Sequence, residues 1–191
     1  MKKIFCLILS LALLASAFAA AFADIETEYN EFGFSVRDTY EKDAEYNKGM
    51  AARDRKDDDG AFRHFRNSAL DGYAYGQYEY ANCFENGWGT KKNYSRCFEY
   101  YFYAAMQGHD LGQAALGRCY LWSHGVDKDN DQAVYYFGLS ADQGCDLGQL
   151  WLGYCYQNGI GVEKDKGMAR YYYELSAEQG NKNAEKRLKS L

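Results

Sequence analysis

Residues 144–179 read GCDLGQLWLGYCYQNGIGVEKDKGMARYYYELSAEQ, and two versions of the same stretch precede them. Residues 108–143 read GHDLGQAALGRCYLWSHGVDKDNDQAVYYFGLSADQ, and 72–107 read GYAYGQYEYANCFENGWGTKKNYSRCFEYYFYAAMQ. Gly72, Gly108, Gly144 and Gly180 mark a period of 36 residues without a slip. Counting positions from each of these glycines, a Gly-Gln pair recurs at five and six, Cys83, Cys119 and Cys155 at twelve, and Phe84, Tyr120 and Tyr156 at thirteen. A unit of this length cannot bury its apolar face alone and must stack on its neighbours. The repeat is therefore the fold.

Apolar residues at positions four, nine and thirteen fall on one helical face, which predicts a first helix over positions three to fourteen. Gly117 and Gly153 at position ten lie inside that helix. A mid-helix glycine costs about 1 kcal/mol relative to Ala, so its recurrence implies a close helix approach. Position twenty-two holds Asp57, Asn93, Asp129 and Asp165, all good N-cap residues, and a second helix is expected to start after it. Ala133, Ala141, Ala169 and Ala177 then let the hairpin close. Tyr135, Tyr136 and Phe137, and likewise Tyr171, Tyr172 and Tyr173, are expected to fill the stack. The loop Gly159-Ile160-Gly161-Val162 needs glycine where φ is positive or the backbone crowded.

The pattern from Leu152 to Gly180, Leu-Gly-x-x-Tyr-x-x-Gly-x-Gly-Val-x-x-Asp-x-x-x-Ala-x-x-Tyr-Tyr-x-x-Ser-Ala-Glu-Gln-Gly, resembles the Sel1-like repeat, a relative of the tetratricopeptide helix hairpin. With degenerate ends the resemblance covers residues 36–191. Departures occur at Ser123, where a loop glycine is expected, and at Ala81 and Thr90. The resemblance implies an all-α superhelical solenoid that binds other proteins, and a fold of this kind implies no activity by itself.

Outward from the full units 72–107, 108–143 and 144–179, register extends in both directions. Lys56, Asp57, Ala61, Ser68 and Ala69 keep it, giving a degenerate capping repeat over 36–71 with a polarised first helix, as terminal repeats require. Residues 180–191, GNKNAEKRLKSL, read as a C-terminal capping helix with Lys186, Arg187 and Lys189 facing water.

The chain opens with Lys2 and Lys3, an apolar run from Ile4 to Phe22, and Ala21-Phe22-Ala23 before Asp24. This is the order of a secretory signal peptide, residues 1–23, cleaved after Ala23. An acidic arm, residues 24–35, follows. The reading is an exported protein, periplasmic or secreted, with no membrane association after cleavage. Losing Lys2 and Lys3 takes the formal charge from -5 to -7. Without a basic cluster, no nucleic-acid partner is expected. The absence of proline and an aromatic share of 17% suit a helical array packed by large rings.

Candidate chemistry is sparse. His64 occupies a tyrosine position of a second helix, His109 lies between units, and His124 sits in a loop beside Trp122, none with a second ligand at metal spacing. Asp127, Asp129 and Asp131 imitate the start of a calcium loop, but Gln132 and Gly138 stand where that loop needs Gly and Glu, and Asp129 is already explained as a cap. Cysteine-rich relatives of the repeat have been associated with penicillin binding, yet the chain has no Ser-x-x-Lys. The expectation is no catalytic residue, no metal and no cofactor. The rival class is a cell-wall-directed hydrolase, or a penicillin-binding or β-lactamase-like protein on the same scaffold.

Export makes disulfides available, and Cys83, Cys97, Cys119, Cys145 and Cys155 follow the leader. The three at position twelve should repeat at the spacing of packed helices, about 8–10 Å, beyond the ~4.4–6.8 Å that a disulfide spans. Cys97, on a second helix and level with Cys83, makes Cys83–Cys97 the candidate pair. If the position-ten glycines face the partner helix, however, position twelve turns away from it and reads as small, apolar packing.

Solenoids bind on the concave face lined by their first helices. Positions seven, eight and eleven vary and point away from the apolar stripe, and loop positions add further rings. Tyr78, Asn82, Arg118, Trp122, Trp151 and Tyr154 form the expected partner-binding face, since Tyr, Trp and Arg are enriched in interface hot spots. The partner is another protein, and the role that of an adaptor, inhibitor or immunity-type partner in the bacterial envelope.

Overall fold

A computed structural model describes residues 43–191. The expected signal peptide, the acidic arm and residues 36–42 of the expected capping repeat lie outside the described residues. The described unit is built of α1 (Ala44–Asp54), α2 (Asp58–Leu70), α3 (Ala74–Asn86), α4 (Tyr94–Met106), α5 (Asp110–Trp122), α6 (Asn130–Asp142), α7 (Asp146–Asn158), α8 (Lys166–Glu178) and α9 (Lys182–Leu188). No strand occurs among the described residues.

The helix starts follow from sequence chemistry. Asp57, Asn93, Asp129 and Asp165 each accept a hydrogen bond from a first-turn amide of the second helix they precede, satisfying donors that the helix itself cannot. First helices end in a left-handed residue, Gly87, Ser123 or Gly159. Ser123 holds φ 59° although it is not glycine, and its hydroxyl donates to the Val126 carbonyl at 2.8 Å. That bond helps fix the tight loop at the one full unit that lacks the glycine.

Two small-residue positions set the two helix interfaces. Inside each hairpin, position ten lies under a fully buried ring at position thirty: a Cβ on Gly117 would stand 2.6 Å from Phe137, and one on Gly153 2.8 Å from Tyr173. Between hairpins, position five meets a buried small residue of the preceding second helix, Ser68, Ala104 or Ser140, and a Cβ on Gly148 would stand 2.5 Å from the Ser140 hydroxyl. Larger side chains at either place would push helices apart. The stack is thus held by close backbone approach as well as by rings.

Successive first helices touch one another (α1 with α3, α3 with α5, α5 with α7), whereas second helices mainly meet the first helices on either side. First helices consequently lie on the inner side of the curve. Paired glutamines tie each unit shut there: Gln107, Gln143 and Gln179 donate through Nε2 to Gln77, Gln113 and Gln149 at 2.7, 2.7 and 2.8 Å. On the other side, Tyr120 stacks on Tyr136 and Tyr156 on Tyr172, each with 5.8 Å between centroids.

Three expectations need correction. Tyr135 and Tyr171 do not fill the stack; they stand on the outer surface, 57% and 52% exposed, and the rings that pack inward are Tyr136, Phe137 and Tyr173, buried, with Tyr172 half-buried. Cys83 and Cys97 are not joined: both thiols are free and buried, and Cys97 has its hydrogen-bond partner in Cys119 of the next unit. Finally, the first described helix is capped by Asp43, later than register from Val36 implies, because the α1–α2 connection is only residues 55–57 where later ones run 87–93, 123–129 and 159–165.

Candidate interaction face

The inner side divides into two regions of different character. At its N-terminal end, charges are matched within the chain. Arg53 of α1 pairs with Glu79 of α3, and Asn82 donates to the same carboxylate at 3.1 Å. The Tyr101 hydroxyl sits 2.6 Å from Asn82 Oδ1 and 2.8 Å from Glu85 Oε2, and Arg118 of α5 donates to both Glu85 oxygens at 2.6 and 2.7 Å. Burial holds the Tyr101 hydroxyl far above its ordinary pKa, so it stays protonated. This polar chain links three consecutive hairpins and leaves no carboxylate of its own unmatched.

Tyr78 belongs to the same region. It stacks on His109 at 5.0 Å and packs against Tyr101 at 5.7 Å. His109 is itself structural: its Nδ1 accepts from the Gly112 amide at 2.9 Å, capping α5, while Nε2 is buried without a partner among the described residues. Burial pushes its pKa down to about 4, against the raising influence of Asp110, so the ring is neutral at pH 7. The other histidines are also engaged, His64 with Glu45 at 2.9 Å and His124 stacked on Tyr94 at 4.4 Å.

The C-terminal region is built of rings and cations. Trp122, 43% exposed, meets Trp151 edge-on at 4.9 Å, and Trp151 meets Tyr154 at 5.8 Å. The Arg187 guanidinium lies 4.6 Å over the Tyr154 ring. Leu150 and Trp151 of α7, with Asn183, Lys186, Arg187 and Ser190 from α9 and just beyond it, line a groove of about 430 Å³.

The six residues expected to form the face are therefore brought together as two clusters. Tyr78, Asn82 and Arg118 form one, with the Asn82 amide and the Arg118 terminal nitrogen already engaged by Glu79, Tyr101 and Glu85; Trp122, Trp151 and Tyr154 form the other. Positions seven and eight are not uniformly outward, since Glu79, Ala114, Ala115 and Leu150 are buried against neighbouring helices. Lys186 is exposed, as expected, and Arg187 is half-buried; sequence reasoning missed that both line the groove. Their signal was legible, because Asn183, Lys186, Arg187 and Ser190 recur at the spacing of a single helical face. Among the described residues no group of three or more His, Cys, Asp or Glu side chains could hold a metal ion, and no helix is long and apolar enough to cross a membrane.

Comparison with known proteins identifies the repeat. The Sel1 repeat family model matches residues 74–109, 111–145 and 147–181. The chain is 31% identical to a Sel1 repeat protein from Oxalobacter formigenes, covering 76% of this chain and 59% of that one with a TM-score of 0.71. It is 32% identical to c5321, a protective antigen of uropathogenic Escherichia coli displaying an SLR fold, covering 78% of this chain and 34% of that one with a TM-score of 0.68. Helicobacter pylori cysteine rich protein B shares the fold at 23% identity and a TM-score of 0.53, covering 68% of this chain and 93% of that one. The chain thus spans less than two thirds of the length of the first two. No curated protein matches the sequence. Sel1 repeats generally mediate protein–protein interaction. With three consecutive repeats matched over more than half of its length, the chain belongs to the Sel1 repeat family.

Proposed function

We propose that this protein is an exported, non-catalytic interaction module of the bacterial envelope that grips another protein with the inner face of its solenoid, as an adaptor, inhibitor or immunity-type partner. Export rests on the order of Lys2 and Lys3, the apolar run and Ala21-Phe22-Ala23. The interaction role rests on one observation above others: Trp122, Trp151 and Tyr154 gather into a single partly exposed cluster on the first-helix side. The scaffold does not require rings there, because the second unit has Ala115 where the third has Trp151 and the third has Asn158 where the second has Trp122. Large amphipathic rings at one spot are what binding hot spots are made of.

The test is affinity capture from the native envelope with residues 24–191 as bait, run beside the Trp122→Ala, Trp151→Ala double variant. A partner retained by the wild-type chain and lost by the variant supports the reading. Covalent labelling by a β-lactam, or turnover of cell-wall fragments by the purified chain, overturns it.

A further inference from the structure

We propose that the groove between α7 and α9 is a site for an acidic peptide, a partner segment carrying Asp or Glu side chains next to an apolar one. This rests on the interaction reading above and specifies the partner's chemistry.

The argument begins with missing carboxylates. In the first full unit, positions eight and fourteen are Glu79 and Glu85, and they neutralise Arg53 and Arg118 on the same face. In the third unit the same positions are Trp151 and Gln157. The cations of that end, Lys186 and Arg187, form no ion pair among the described residues, so both charges are available to an anion on another molecule. Arg187 is also held for the purpose. The Tyr154 ring beneath it at 4.6 Å occupies one face of the guanidinium and a hydrogen bond to Tyr173 holds it from the edge, while the remaining in-plane donors of the fork are left for a carboxylate.

The rest of the lining fits the rest of such a segment. Leu150 and Trp151 give an apolar wall, while Asn183 and Ser190 offer uncharged hydrogen-bonding groups beside the cations. A volume of about 430 Å³ accommodates a few side chains, not a folded domain. A nucleic acid is disfavoured by the same chemistry. Two cations on a chain of formal charge -5 cannot attract an extended polyanion, but they can pair with two carboxylates.

The experiment is fluorescence anisotropy at low salt with the full mature chain and a labelled probe peptide, acetyl-Glu-Phe-Glu-Glu-Leu-Glu-amide. The proposal predicts saturable binding that weakens as salt rises, and a loss of about tenfold or more in Lys186→Glu, Arg187→Glu. Lys91→Glu, Lys92→Glu is the control, because it changes net charge equally in the exposed loop of the first full unit, away from the groove; binding should stay within about twofold. The proposal is overturned if the probe does not bind, if the two double variants lose affinity equally, or if the Lys-substituted probe or a single-stranded oligonucleotide of equal charge binds as tightly. Failure here is separable from failure of the interaction reading. Undiminished capture of the native partner by Lys186→Glu, Arg187→Glu would place the partner elsewhere on the face and leave the interaction reading standing.

Discussion

The first and third full units share one backbone plan and differ in what they put on the inner face. Positions eight, eleven and fourteen are Glu79, Asn82 and Glu85 in the first, and Trp151, Tyr154 and Gln157 in the third. In the first they close an internal network with Arg53, Tyr101 and Arg118. In the third they leave rings and cations without an internal anion. On the proposed function, the same three positions serve stability at one end and recognition at the other. Repeat proteins can divide labour in this way because each unit is stabilised mainly by its neighbours, which frees individual faces to change.

The largest effect that bears on this division is removal of the middle unit. Deleting 108–143 joins Gln107 to Gly144 in register, and a shorter chain of unchanged helicity per residue is expected by circular dichroism. Ending the chain at residue 126 strands α5 without its hairpin partner and should cost most of the helical signal of that unit and its neighbour. Equal unfolding of the two would break the modular account.

A second expectation separates the ends by pH. His109 at the N-terminal end must stay neutral to cap α5, since a proton on Nδ1 would remove the acceptor of the Gly112 amide. Its folded pKa, about 4, lies below the ordinary value of 6.5, so the unfolded chain binds more protons between those values. The stability it contributes is complete above pH 6.5 and is lost as pH falls towards 4, by up to about 3 kcal/mol. His109→Asn keeps a cap acceptor and should flatten the melting temperature across that window. Glu45, lowered to about 2 mainly by its hydrogen bond to His64, gives its loss lower still, from 4.5 downwards. The equivalent cap position in the third unit, Cys145, contributes nothing in either window, because burial raises its thiol pKa.

Next in size is Glu85→Ala, which leaves Arg118 half-buried and unpaired and takes an acceptor from Tyr101. A loss of about 2 kcal/mol is expected in denaturant unfolding. Adding Arg118→Met should recover much of it, since an apolar pair of similar volume often replaces an ion pair without cost. Probe-peptide affinity should not change in either variant. If it falls with Glu85→Ala, the two regions are not independent.

Most of the scaffold was legible in the sequence, for a physical reason. Helix starts, the buried glycines at position ten and the unit length depend on contacts that repeat, so each observation was made at least twice. What failed to show was set by side-chain direction within a unit. Tyr135 looks like a core residue beside Tyr136 and Phe137, and only helical phase at the stack puts it outside. Cys97 looks level with Cys83 within a hairpin, yet the closer contact is across the unit boundary to Cys119. Of the candidate face, the rings were found because they interrupt the repeat. Lys186 and Arg187 were read only as solvated charges, because their place beside Tyr154 and in the groove depends on how α9 packs against side chains of another helix.

The smallest effect on stability should come from Trp122→Ala, and it tests the central claim most directly. Trp122 is 43% exposed and is not needed to close the stack. Melting temperature and affinity for the captured partner are to be measured on the same preparation of this variant. The account predicts a stability change within about 0.5 kcal/mol and a loss of binding of about 2 kcal/mol. A sharply lowered melting temperature with affinity intact would instead make Trp122 part of the packing, and would contradict a C-terminal recognition region on the inner face.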